Sequence, residues 1–241
     1  MTQRTSRKST VLRQNPLFLR NEFPSDNEWG IPNMRECSVI DRDIKLISCK
    51  STVNHAVKDL DKGVHFFVDD QDFEKYCHYP EDNTKKLAQY KYILTLDFSM
   101  YTDMPLTLQQ HNVFRNRWLG AFWQQDCRLD CIIPTVCWST PKSYDFAFLG
   151  LAQGTAVALT TIGVRRGGAK SLFLAGYTEL MSRIAPIVVY CYGKPFPEMS
   201  GDIISIPYVL DGYKKSRKGD GKWADAVSLP GQMQVNEHLT A

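Results

Sequence analysis

The chain has 241 residues, of which 43% are hydrophobic and 23% charged, with a formal net charge of +3 at pH 7. These proportions are ordinary for a globular domain and exclude a fibrous, coiled-coil or wholly disordered chain. No apolar run approaches the roughly 20 residues that cross a bilayer, and the polar N-terminus lacks the apolar stretch of a signal peptide, so a cytoplasmic protein with no membrane partner is expected.

The charge is unevenly spread. Residues 1–21 carry Arg4, Arg7, Lys8, Arg13 and Arg20 with no acid, and residues 214–222 carry Lys214, Lys215, Arg217, Lys218 and Lys222 against Asp220. Residues 1–21 and 213–241 therefore read as flexible basic tails around a single α/β domain over 22–212. Arg4, Arg7, Lys8, Arg13, Lys214, Lys215, Arg217 and Lys218 are the candidate nucleic-acid contacts, with DNA or RNA as partner.

From about Asp41 the pattern turns to short apolar, β-branched runs at Lys45–Cys49, Val64–Val68, Tyr92–Leu96, Cys131–Cys137, Thr155–Thr160 and Ile187–Cys191, with Asp202–Val209 as one more. Several are continuously apolar, as parallel strands covered on both faces are. Between them the spacing predicts helices over 53–60, a broken one over 72–89, a long one over 105–125, a short one over 142–148 and one over 169–184. Pro105 suits a first helical position with Asp103 as cap, and Pro186 marks the last helix end. Phe114, Trp118, Ala121 and Phe122 recur at helical spacing as a core face. The alternation implies a mostly parallel sheet of βα repeats, either a partial or distorted βα barrel or an open doubly wound sheet.

Such sheets carry their working residues at the strands' carboxyl ends. That rule selects Asp69, Asp70, Asp97, Ser99, Tyr101, Asp103, Trp138, Ser139, Thr160, Thr161, Gly163, Tyr192 and Lys194. Asp70 and Asp97, if on neighbouring strands, could share a proton or a divalent metal. Aspartates in such places also cap helices, and Asp97 is the best functional candidate among them. Arg115 and Arg117 flank Asn116 on the long helix and point to different faces; one is expected to reach the strand-end face, the other solvent. The catalytic candidates are thus Asp97, Tyr101, Arg115 and Arg117, with Asp70, Asp103, Trp138, Ser139, Thr161, Tyr192 and Lys194 around them. Tyr101, Trp123, Trp138 and Tyr192 are aromatic candidates for a pocket wall, Trp123 equally for core.

Other motifs are weaker. TIGVRRGGAKS (Thr161–Ser171) follows a strand and precedes a helix, yet Ala169 separates Gly168 from Lys170 and so turns the lysine about 100° away from its phosphate-loop position. No nucleotide-cofactor fingerprint, nucleophile elbow or zincin motif is present, and the cofactor is left unassigned. The seven cysteines are scattered and read as reduced. Cys127 and Cys131 lack a second pair at zinc spacing, with only His78 and His111 as further ligands, so no metal set is assigned.

The segments FFVDDQDFEKY (Phe66–Tyr76), LDFSMYTDMPLTLQQHNVFRNRWLGAFWQ (Leu96–Gln124), IIPTVCWS (Ile132–Ser139), SYDFAFLGL (Ser143–Leu151) and YGKPFPEM (Tyr192–Met199) resemble a bacterial and phage family, domain of unknown function 4417. The resemblance spans about His65–Met199. It implies a compact α/β domain encoded on phages, plasmids and other mobile elements, hence a bacterial host cell, and brings no catalytic assignment. Three expectations follow: nucleic-acid association through the tails, an enzyme acting on a small anionic metabolite or nucleotide, or an adaptor for a host protein.

Overall fold

The structure, a computed structural model, describes residues 23–54, 59–165 and 167–208. Both tails and their basic residues lie outside the described residues. Seven short strands, β1 (Leu46–Ser48), β2 (Gly63–His65), β3 (Tyr92–Leu94), β4 (Ile132–Ile133), β5 (Val157–Thr160), β6 (Val189–Tyr192) and β7 (Ile203–Ile206), overlap the apolar runs, β2 starting one residue early and β6 ending one residue late. Every ladder is parallel, in the order β1-β2-β3-β4 and β5-β6-β7.

A proline separates the two sheets. Pro134 has no N–H for a ladder, but its carbonyl accepts from Ala158 N (2.8 Å) and Val136 N donates to Ala158 O (2.9 Å), so the fourth strand passes from β3 to β5 across it through the Thr135–Ala158 bridge. The strands thus lie in sequence order across both sheets.

The sheet is strongly rolled. Neighbouring strands sit about 4.8 Å apart, which would put β2 and β6, four steps apart, roughly 19 Å from one another in a flat sheet. Yet the His65 and Tyr192 rings lie 4.5 Å apart and Phe67 stacks on Tyr192 at 5.2 Å. Leu94, Ile133, Ala158, Tyr190, Tyr192, Ile204 and Ile206 fill this concave face. No ladder joins β7 to β1 among the described residues; Arg42 and Asp202 span that gap with a two-pronged ion pair. The sheet is therefore open and is not a closed barrel, and its sequential strand order, with α4 and α6 on one face, also differs from a doubly wound sheet.

The helices are α1 (Asp70–Phe73), α2 (Lys75–His78), α3 (Pro80–Leu87), α4 (Leu106–Gln125), α5 (Tyr144–Ala147) and α6 (Ala169–Ile184). The broken helix becomes three pieces. Tyr79, forced from helical backbone by the following proline (φ −136°), separates α2 from α3. Where a helix over 53–60 is expected, a 3-10 turn occupies Ser51–Asn54 and residues 55–58 lie outside the described ones.

Residues alternating with the concave set cover the other face: Val64, Ile93 and Ile132 meet Trp118, Leu119, Phe122 and Trp123 of α4, and Val157, Leu159 and Val189 meet Phe173, Tyr177 and Leu180 of α6. The second half of α4 is buried nearly all round because residues 23–37 strap it from outside. Phe23 meets Trp118 edge-on. The Gln124 amide accepts from Arg35 N (2.8 Å) and donates to Arg35 O (3.0 Å). At the start of α4, Pro105 is the flanking cap residue and Asp103 is exposed, with no side-chain cap bond; Gln109 instead donates to the carbonyls of Met104 and Tyr101. α6 ends where Ala185 turns left-handed (φ 47°) ahead of Pro186. No helix among the described residues is long and apolar enough to cross a membrane.

Candidate active site

Three loops and a helix meet where β2, β3 and β4 end. Asp70 opens α1 after β2, and Asp97 and Ser99 follow β3. Cys137 follows the Pro134 crossing, and the middle of α4 supplies Asn112, Arg115, Asn116 and Arg117.

Asp70 does not cap its helix. Its carboxylate accepts from Ser99 Oγ (2.8 Å) and, with both oxygens, from Ser99 N (3.2 Å each), which ties the ends of β2 and β3 together. Ser99 O in turn accepts from Asn112 Nδ2 (2.8 Å), and Asn112 Oδ1 from Arg115 NH2 (2.6 Å). Arg115 pairs with Glu74 at 2.5 Å and lies over the Phe98 ring, 3.8 Å from its centroid. Its Nε is buried with no partner.

Asp97 is 7% exposed, and no hydrogen bond among the described residues reaches its carboxylate. Burial first, and then the Asp70 charge, push its pKa well above the usual carboxylate range. Burial also raises Asp70, with the Ser99 bonds pulling the other way. The Asp70 charge thus reaches Asp97 from the end of the adjacent strand. Beside them the Cys137 thiol donates to Phe98 O (3.4 Å), and burial together with the Asp97 charge raises its pKa far above a free thiol's.

Arg117 differs from its expected place. It is 2% exposed: Nε donates to Leu149 O, NH1 to Thr135 O and Asn116 Oδ1, and NH2 to Ala147 O. Burial lowers its pKa to about 10, so it stays a cation at neutral pH. Neither arginine therefore sits in solvent, because Arg115 has only 15% of its side chain exposed. A cavity of about 10 Å³, the size of one water, lies between Arg117, Asn112, Asn116, Thr135 and Cys137.

The other candidates are dispersed. Trp138 packs away from Asp97, against Phe148 and Phe173, and Gly176 of α6 leaves it room that a Cβ, at 2.1 Å from Nε1, would remove. Ser139 is buried and donates to Gln109. Thr161 donates to the carbonyl of exposed Lys194 (2.9 Å) at the ends of β5 and β6. Tyr192 joins buried His65, a ring that burial keeps neutral with a pKa of about 3. Sequence reasoning missed Cys137, Asn112 and Asn116; the position of Cys137 just before Trp138 and Ser139, already placed at a strand end, was the available signal. No cluster of three or more His, Cys, Asp or Glu fit to hold a metal occurs among the described residues.

A family model, domain of unknown function (DUF4417), matches residues 23–210. The chain belongs to this family. It is 33% identical over 217 residues to the Gene 1 protein of Mycobacterium phage L5, which covers 90% of this chain and 92% of that one. It is 34% identical over 179 residues to the Gene 1 protein of Mycobacterium phage D29, covering 74% and 65%. No solved structure matches.

A buried acid with a raised pKa makes folding pH-dependent in a definite sense. The native state holds a proton that the unfolded chain has released, so stability falls as pH rises above the ordinary carboxylate pKa toward the raised one. Thermal melts between pH 4 and 8 should show this decline. Asp97→Asn should flatten it and raise stability near neutral pH, because the amide has no proton to take up on folding. A variant less stable than wild type at neutral pH would contradict the reading of Asp97 as an unpartnered acid.

Proposed function

We propose that this phage-family protein is an enzyme that acts on a small anionic metabolite or nucleotide at the carboxyl ends of β2 to β4, with Asp97 as the general acid. The supporting observation is the Asp97 carboxyl itself, buried without a donor beside a second aspartate. A natural core seldom keeps such a group without a functional return. Raised toward neutral pH, it holds a proton to deliver to an oxygen or nitrogen that gains negative charge in the transition state, and recovers one from water afterwards. Asp70, fixed by Ser99, keeps the second charge in place. Arg115, whose charge reaches Asp70, is suited to hold the substrate, with Tyr101 after β3 as a second candidate. Arg117, its donors directed at carbonyls, positions Asn116 and the end of α5.

The test is conversion of a panel of nucleotides and phosphorylated metabolites, followed by mass spectrometry. A compound consumed by wild type should be consumed at least about 100-fold more slowly by Asp97→Asn, the usual scale of a lost general acid. Equal rates in a folded Asp97→Asn would remove this function from the residue.

A second reading, nucleic-acid association, is favoured by the basic residues before Asn21 and after Tyr213. Removing residues 1–21 and 214–222 should then weaken binding to DNA or RNA and flatten its salt dependence. Binding that ignores both salt and truncation would exclude it.

A further inference from the structure

At the mouth of the roll, where β2 and β6 end, four aromatic rings meet. His65 is the last residue of β2, Phe67 follows two residues on, and Tyr192 is the last residue of β6. Phe67 lies nearly parallel to Tyr192 (14°, centroids 5.2 Å apart), and Tyr208 meets Tyr192 edge-on at 5.6 Å. The chain bends at Phe67, because Val68 N turns back to Phe66 O (2.9 Å). Phe67 is half-buried and Tyr208 is exposed, so the cluster reaches the surface.

Packing alone does not account for it. A plug for the end of the roll needs no polar atom, yet this one holds His65 at 3% exposed. Its Nδ1 accepts from Phe67 N (3.2 Å), which places the hydrogen of the neutral ring on Nε2. That Nε2–H meets no acceptor among the described residues. A buried donor left so destabilises the native state, and the acceptor of a ligand would offset the loss.

The mouth also adjoins the candidate active site. Phe67 stands three residues before Asp70, so no more than about 11 Å of extended chain separates them. Both lie at the carboxyl ends of the strands, where parallel sheets take their ligands.

We propose that this mouth takes the base of a nucleotide, a planar heteroaromatic ring that lies against Phe67 and accepts with an edge nitrogen or carbonyl from His65 Nε2. Aromatic side chains hold any base through its flat face, and a single fixed donor orients its edge. The proposal rests on the enzyme reading above and narrows its substrate to the nucleotide rather than a metabolite without a ring. The anionic group then lies toward Arg115 and Asp97.

The experiment is calorimetric titration of the full chain with the five common nucleoside monophosphates, their nucleosides and ribose 5-phosphate. Saturation-transfer NMR shows which ligand protons touch the protein. Phe67→Leu, His65→Asn and His65→Gln run alongside, each checked by its thermal melt. A nucleotide should bind at least about tenfold more tightly than ribose 5-phosphate, with the strongest transfer to its base protons. Phe67→Leu should weaken it about tenfold by removing the ring contact. His65→Asn, whose amide oxygen can still accept from Phe67 N, should weaken it about fivefold, the worth of one hydrogen bond. His65→Gln, which returns an N–H near the position of Nε2, should restore most of that loss. Ribose 5-phosphate should bind all four proteins alike. Nucleotides that bind no better than ribose 5-phosphate, or show no transfer to their base protons, would overturn the base site and leave the enzyme reading standing. Nucleotide binding that ignores both Phe67→Leu and His65→Asn would overturn it equally. Base-dependent binding with equal turnover by wild type and Asp97→Asn would keep the base site and remove Asp97 as the acid.

Discussion

Where the fourth strand crosses from β3 to β5, it meets a proline with no N–H to give, and the backbone groups around that break lie in the interior. Buried polar groups left unpaired would cost about 1–3 kcal/mol each. Side chains take over from the ladder: Thr95 Oγ1 accepts from Thr135 N (2.7 Å), Thr135 Oγ1 donates to Thr95 O (2.8 Å), Thr95 Oγ1 donates to Asn116 (3.0 Å), and Asn116 and Arg117 bond the carbonyls that remain. This seam joins the two halves of the sheet, fixes α4 across them, and brings Asp97 and Cys137 off the ladder together. The buried Arg117 cation is thereby spent on structure, and it makes no bond to Asp97.

The molecule's two distinctive charge features lie at opposite ends of the same strands. At the carboxyl ends, burial raises the pKa of an acid that no hydrogen bond among the described residues reaches. At the amino ends, the strap of residues 23–37 and the left-handed turn at Arg128 (φ 54°) hold Arg35 and Arg128 exposed, with no ion pair among the described residues.

Much of the fold was legible in the sequence because strand and helix periodicities are local. Each apolar run overlaps a strand, Ala169–Ile184 is a helix over its expected length, and Pro80 and Pro186 act as breakers through the backbone they forbid to the preceding residue. Asp70 and Asp97 were legible as a pair because parallel order puts consecutive strand ends side by side. What failed depends on distant contacts. Nothing near Arg117 announces that carbonyls of residues 135, 147 and 149 will surround it. Asp103 had the composition of a cap but not the geometry, since it lies exposed two residues before Pro105, which takes the cap position. Trp138 stands at a strand end, yet its ring falls on the convex side, into the space left by Gly176. The roll of the sheet, visible in the His65–Tyr192 contact, follows from summed twist and packing that no single run encodes.

The central claim is that Asp97 keeps its proton where an ordinary aspartate has lost it. Carboxyl-carbon NMR of the aspartates across pH 3 to 9, with Asp97→Asn to assign the signal, measures this directly. The account predicts one aspartate signal that titrates well above the rest and disappears in the variant; an Asp97 signal that titrates with the ordinary carboxylates near pH 4 would contradict it.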